Sequence, residues 1–210
     1  MSYAVKEIFL TLQGEGAQSG RRAVFLRFAG CNLWSGREED RAGAVCRFCD
    51  TDFVGMDGEY GGRYADAAAL VAVVTALWGP DPAHRYIVLT GGEPMLQVDD
   101  ALIDALHDAG FTIAMESNGT IAAHPGIDWL CISPKADSMV VQTRGDELKL
   151  VWPQAEPNWR AMESWNFTHF LIQPMDGPDA VAARSAAIAF VMANPRWRLT
   201  VQAHKMLGLA

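Results

Sequence analysis

The sequence predicts an α/β fold built on a parallel sheet, and three observations carry that reading. Short apolar runs alternate with helix-period patterns, with Gly and Pro at the joints. The apolar runs read as buried on both faces, as parallel strands covered by helices are. Nearly every run is followed by small, polar or charged residues, which places the chemistry on one rim, at the carboxyl ends of the strands.

Taken in order, the runs predict strands over Ala23–Phe28, Tyr86–Leu89, Thr112–Met115, Trp129–Ile132, Glu147–Val151, Phe170–Ile172 and Leu199–Val201. Helical periodicity covers Ala65–Leu77, Val98–Asp108, Trp159–Ser164 and Asp179–Ala193. "GPDPAH" (79–84) breaks both periods and reads as a loop. No repeat, low-complexity tract or linker divides the chain, so its 210 residues read as one domain, 1–210, with a full core. The strand ends read "AGCN", "TGGEP", "ESNG", "SPK", "VWP", "QPMD" and "QAHK".

Half the residues are hydrophobic and 20% are charged, the balance of a globular protein rather than a disordered one. Lys and Arg number 17 against 25 Asp and Glu, a formal net charge of -8, which argues against general nucleic-acid binding. It leaves room for a small anionic ligand held by a few local cations. The start "MSYAVKEIFL" lacks a signal pattern, and no apolar run approaches the ~20 residues of a membrane span, so a cytoplasmic protein is expected. Thiols stay reduced there.

Three of the four cysteines, Cys31, Cys46 and Cys49, share one loop at C-x14-C-x2-C spacing, directly after the strand "AVFLRFAG". Clustered thiols in a reducing compartment point to a metal or to catalysis. C-x2-C is a common half of a zinc site, but the second half is missing. Three thiolates on a four-iron cluster leave one iron open to a cofactor or substrate, which chemistry at a cluster requires. Cys131, inside "WLCIS", reads as a small buried hydrophobe. From the thiols alone, zinc and iron–sulfur both stand.

"CRFC" (46–49) and "TGGEP" (90–94) together resemble the radical S-adenosylmethionine superfamily, whose usual loop is C-x3-C-x-aromatic-C; the x14 gap departs from it. The chain is short for a full (β/α) barrel of ~250 residues, so the resemblance implies a trimmed, partial (β/α) barrel of the radical S-adenosylmethionine type. Further segments, "EIFLTLQGEG", "CDTDF", "TGGEPMLQ", "ESNGT", "SPK", "QPMD" and "QAHK", run from end to end and resemble the 7-carboxy-7-deazaguanine synthase family. Ser35 stands where many relatives carry the next Cys. The resemblance implies ring contraction of 6-carboxy-5,6,7,8-tetrahydropterin to 7-carboxy-7-deazaguanine with loss of ammonia, in queuosine or 7-deazapurine biosynthesis. A 5'-deoxyadenosyl radical would take a hydrogen from C6 and later return it. It also implies a [4Fe-4S] cluster, S-adenosylmethionine, Mg2+, a flavodoxin-like or other reductant and a homodimer.

Carried onto this chain, the family pattern implies cluster ligation by Cys31, Cys46 and Cys49, and Mg2+ at Thr51, whose hydroxyl is a hard donor. Leu12, Gln13, Gly14, Glu15, Arg27, Thr90, His204 and the α-carboxylate of Ala210 are expected at the substrate. Arg27 offers a bidentate fork for its carboxylate, and its apolar flanks call for an anion. Phe48, Cys49, Asp50, Gly92, Glu116, Ser117, Asn118, Ser133, Pro134, Lys135, Gln173, Pro174, Met175 and Asp176 are expected at the cofactor. Lys149, within its strand, is the weaker candidate. His84, His107, His124 and His169 are expected off the rim. "MLGLA" (206–210) is expected either to tuck in as an extended lid or to fray. A glycyl-radical activase, or a zinc-bearing interaction module, are the rival readings.

Overall fold

The architecture follows from where each strand buries its side chains. The structure, a computed structural model, describes residues 2–154 and 157–209. Strands β1 (Tyr3–Leu12), β2 (Arg22–Phe28) and β3 (Gly62–Tyr64) precede helix α1 (Ala67–Trp78). Then come β4 (Tyr86–Gly91), α2 (Asp100–Asp108), β5 (Thr112–Ser117), β6 (Trp129–Ile132) and β7 (Arg144–Trp152). The short α3 (Trp159–Met162), β8 (Asn166–Pro174), α4 (Ala180–Ala193), β9 (Arg198–Leu199) and α5 (Ala203–Leu207) complete the chain. The described strands form a nine-stranded sheet in the order β3-β1-β2-β4-β5-β6-β7-β8-β9. From β2 to β9 all neighbours are parallel; β1 pairs antiparallel with β2 and β3. The order has two ends, so the barrel is partial, as expected.

Side chains alternate across each strand. On one face Leu26, Leu89, Met115, Ile132, Leu148 and Ile172 are fully or almost fully buried in the main core. The helices bury Leu70 and Val74 of α1, Leu102 and Leu106 of α2, and Ala187 and Phe190 of α4 in the same core. Asp66 and Asp99 start α1 and α2 by accepting from the backbone N–H three residues on, at 2.9 and 3.0 Å. The opposite face is largely buried too, but it carries polar and charged side chains, which corrects the reading that the strands are apolar on both faces. Arg27, Thr90, Glu116, Lys149 and Gln173 line a cavity there. In a partial barrel the inner face surrounds a ligand space rather than more protein.

Two strands escaped the sequence reading. β1 does not alternate cleanly because its register shifts between Val5 and Glu7, which changes the face its side chains take. β3 has three residues, too few for periodicity. The last stretch also differs: pairing stops at Leu199, and Ala203–Leu207 is helical, closed by Gly208 in the left-handed region at φ 67°. Met206, Leu207 and Leu209 are therefore exposed and do not lie extended across the cavity. Ala210 lies outside the described residues.

The loop from Gln13 to Ala17 crosses the inner face from β1 to the last strands. Gly16 N donates to Thr200 Oγ1 at 2.8 Å, Ala203 N to Gly14 O at 2.9 Å, and Ala17 N to Glu147 Oε2 at 3.1 Å. At Gly14 and Gly16 the approach leaves no room for a side chain. A Cβ on Gly14 would fall 2.1 Å from His204 Nδ1, and Gly16, at φ 73°, would meet Glu147 at 2.2 Å.

Leu89 sits in the middle of the sheet between Leu26 and Met115. Leu89→Ala is expected to cost about 2–5 kcal/mol through a cavity that flanking strands cannot close. Urea unfolding of parent and variant measures it.

Candidate active site

The inner face and the strand-end loops enclose a cavity of about 350 Å³. Its walls come from the cysteine loop, the 12–15 crossing, the ends of β4, β5, β7 and β8, and the segment entering α5.

Cys31, Cys46 and Cys49 all line it, and all are free thiols. The insert between the first two folds back on itself: Val45 N and Cys46 N both reach the Leu33 carbonyl, at 3.2 and 3.3 Å. Trp34, buried and packed edge-on to Phe53 at 5.6 Å, forms the wall behind them. Ser35 does not line the cavity; its Oγ donates to Asp40 within the insert at 2.6 Å. The Cys46 thiol donates toward Cys49, which pushes Cys46 up and draws Cys49 down to about 6, with Lys135 favouring both thiolates. Burial raises Cys31. Among the described residues no group of three or more His, Cys, Asp or Glu is disposed around a single metal ion.

The "TGGEP" turn abuts this loop. A Cβ on Gly92 would stand 2.1 Å from Gly30 O and 2.6 Å from Cys31 Cβ, so glycine is required where the two backbones meet. Glu93, fully buried, ties the turn to the end of β5. Its carboxylate accepts from Ser117 Oγ at 2.9 and 3.0 Å, Asn118 N at 2.8 Å and Met95 N at 3.0 Å. Asn118 in turn donates to Asn32 of the cysteine loop at 2.9 Å. Gln97 holds the far side of the turn, donating to the Ala4 and Ala29 carbonyls at 3.1 and 2.9 Å and accepting from Ala4 N at 2.6 Å. Three strand ends are thereby locked by side chains from one motif.

An ionic network, buried around Lys149 and exposed at Lys205, fills the floor. Lys149 donates to Glu15 and, at 2.8 Å, to Glu116. Gln13 donates to Glu116 at 3.0 Å, and Gln202 to Glu15 at 2.9 Å and Asp50 at 3.1 Å. Lys205 then bridges Asp50, at 2.7 Å, and Asp176. Burial opposes ionisation of Glu116, but the Lys149 charge and the hydrogen bonds to it outweigh burial and hold the carboxyl below its usual range. Burial likewise opposes the Lys149 charge, and the two carboxylates outweigh it. Asp50 is held low against its burial by Lys205 and Gln202. Arg27 is paired by Glu7 at 2.7 Å, so the anion expected beside it is supplied by the neighbouring strand.

Every predicted site residue within the described chain lines this cavity except Pro134, which is buried behind it while Ser133 and Lys135 reach the wall. Ala210 is outside the described residues. The four histidines expected off the rim lie off it, and His204 is on it. Cys131 is buried, as its reading as a small buried hydrophobe expected, and it does not line the cavity; its cross-strand partners are Glu116 and Glu147. Sequence reasoning placed Gln202 and Lys205 at the rim within "QAHK" without giving them a role, passed over Glu7 and Trp34, and undervalued Lys149. A lone Lys in "ELKLV" was the available signal, since a buried cation demands partners.

No protein-family model matches the chain. It is 58% identical over 209 residues to the 7-carboxy-7-deazaguanine synthase of Bordetella pertussis, covering all of both proteins. It is 61% identical over 209 residues to that of Caulobacter vibrioides, again end to end. The chain belongs to the 7-carboxy-7-deazaguanine synthase family. The crystal structure of QueE from Escherichia coli, 25% identical, superposes with a TM-score of 0.73 over 97% of this chain and 95% of that one. Family membership makes the chain an enzyme of the radical S-adenosylmethionine type, which sets aside the activase and the zinc-bearing module. Its sheet is the partial barrel of that type.

The site fits the cluster and cofactor that the family implies. Three thiols meet on one wall with a cation nearby, and the backbone at Gly92 is bare against Cys31. Gln173 Oε1, buried in the cavity wall, has no partner among the described residues and suits an N–H donor of a ligand.

Replacing Lys149 by Met leaves Glu15 and Glu116 facing each other uncompensated, and should cost about 3–5 kcal/mol at neutral pH. In the parent, the depressed Glu116 contributes stability that is present above its unfolded pKa and lost as pH falls through its folded value. The gap between parent and variant should therefore be widest near pH 7 and narrow through the carboxylate range. Melting temperatures from pH 4 to 8 test this.

Proposed function

We propose that this cavity performs the ring contraction of 6-carboxy-5,6,7,8-tetrahydropterin to 7-carboxy-7-deazaguanine, with loss of ammonia. The observation that carries the reading is the meeting of Cys31, Cys46 and Cys49, the Gly92 turn and a charged floor in one cavity of a chain of this family. When bound, a [4Fe-4S] cluster held by the three cysteines, together with S-adenosylmethionine, supplies reversible hydrogen-atom abstraction at C6 of the pterin.

The chain's own residues bind, orient and shield. Phe48, Cys49 and Asp50, Gly92, Ser117, Asn118, Ser133, Lys135 and the Gln173–Asp176 segment border the cofactor. Arg27 takes the substrate carboxylate, exchanging part of its bond to Glu7 for a charge-assisted pair. Leu12, Gln13, Gly14, Thr90 and His204 frame the pterin. Glu116, kept ionised by Lys149, and Glu15, paired with the same ammonium, accept from the N–H groups of its ring edge. This moves Glu116 from the cofactor to the substrate side, because it hydrogen-bonds Gln13 on the floor.

Magnesium at Thr51 belongs to the same reading. The Thr51 side chain is on the cavity wall, and a hydroxyl suits a hard cation that keeps most of its waters. A homodimer is supported by the exposed Val181, Ile188 and Met192 of α4. Reduced thiols support a cytoplasmic setting in which a flavodoxin-like or other reductant delivers the electron. No helix of the described residues is long and apolar enough to cross a membrane.

Anaerobic protein given the carboxytetrahydropterin, S-adenosylmethionine and dithionite should release the deazaguanine. Alanine at Cys31, Cys46 or Cys49 should abolish both product and the bound ~4 irons, whereas Cys131→Ala should keep its iron. Full iron without Cys46 refutes the ligand set. Thr51→Val should lose most of the rate response to added Mg2+; a parent-like response would place the ion elsewhere.

A further inference from the structure

The fourteen residues between Cys31 and Cys46 are the chain's departure from the usual superfamily loop, and one side chain ties them together. Arg41 lies in the single helical turn Glu38–Gly43, which buries none of its residues. Such a segment has no core to hold it, so its shape depends on polar contacts. Arg41 makes four. Its Nε donates to Glu38 at 2.7 Å, its Nη1 donates to the carbonyls of Arg47 at 3.0 Å and Cys49 at 3.2 Å, and its guanidinium lies 4.0 Å from the Trp34 ring centre. Trp34 is itself fixed, donating from Nε1 to the Arg37 carbonyl at 3.0 Å and forming the wall behind the cysteines.

We propose that Arg41 is a positioning residue for the iron–sulfur cluster. It holds the long insert folded so that Cys46 and Cys49 stand ready beside Cys31, and it keeps a permanent positive charge on the main chain of a cluster ligand. This rests on the reading that the three cysteines hold the cluster.

Two physical properties separate in Arg41. The planar fork can bridge carbonyls from the Nη side, bond Glu38 through Nε and stack on an indole at once, which a lysine ammonium cannot. The charge alone is shared by both side chains. A cation near the cluster stabilises the more negative reduced state and so raises the reduction potential, whatever its shape. Arg41→Lys keeps the charge and loses the fork; Arg41→Gln loses both. Because Arg41 lies outside the core, both variants should retain the apo-protein melting temperature of the parent.

The test reconstitutes parent and variants anaerobically with iron and sulfide, measures both elements, and follows the cluster's reduction potential by EPR, without turnover. Both variants should bind less iron than the parent at equal excess. The clusters that form should show a potential shifted negative in Arg41→Gln and close to the parent in Arg41→Lys. Parent-like iron and potential in Arg41→Gln overturns the proposal. Lost iron with an unchanged potential in Arg41→Gln also overturns it, reducing Arg41 to a strut without influence on the cluster. A parent that binds no cluster refutes the cysteine assignment beneath it, a failure visible before any variant is made.

Discussion

The site depends on one buried cation. Lys149 is placed by the middle of β7, on the face where β5, two strands away, puts Glu116 and where the 12–15 loop brings Glu15. An ammonium so buried is costly unless paired, and a pair of buried carboxylates is costlier still without it. The two demands are met only when the sheet has curved and the first loop has crossed it. The rest of the floor then follows, since Gln13 and Gln202 each bond a carboxylate that Lys149 already fixes.

Above that floor the rim is set by a second device. Glu93, Gln97 and Asn118 hold three strand-end loops against one another by hydrogen bonds to backbone and side chains. Catalysis by positioning requires groups held within small tolerances. Here the tolerance comes from polar side chains with several partners each, while the apolar core on the other face fixes the strands that carry them.

Much of this was legible in the sequence, and for a reason. Parallel strands end at the rim, so short motifs after apolar runs had to share a site, and "TGGEP", "ESNG", "SPK" and "QPMD" do. The bounds of β6 matched because four apolar residues sit between polar ends. What stayed hidden is nonlocal. Neither the bulge that disguises β1, nor the pairing of Lys149 with Glu15, 134 positions earlier, nor the helical turn of α5 is written in local periodicity. The apolar run around Cys131 told that its strand is buried, not that the charged Glu116 and Glu147 would stand beside it.

The crossing loop also sets an order of events during synthesis. Gly16 is held by Thr200, and Glu15 by Gln202, partners 184 and 187 positions apart. A nascent chain can pair β2, β4 and β5 and cover them with helices while the ribosome is still reading the second half. The floor must wait until the segment around Gln202 has emerged. Until then the inner face is an open, charged trough with its two glycines unclasped. Contacts so distant in sequence form late and slowly. The protein thus acquires its scaffold and the cysteine-bearing rim early, and the floor of the binding site last.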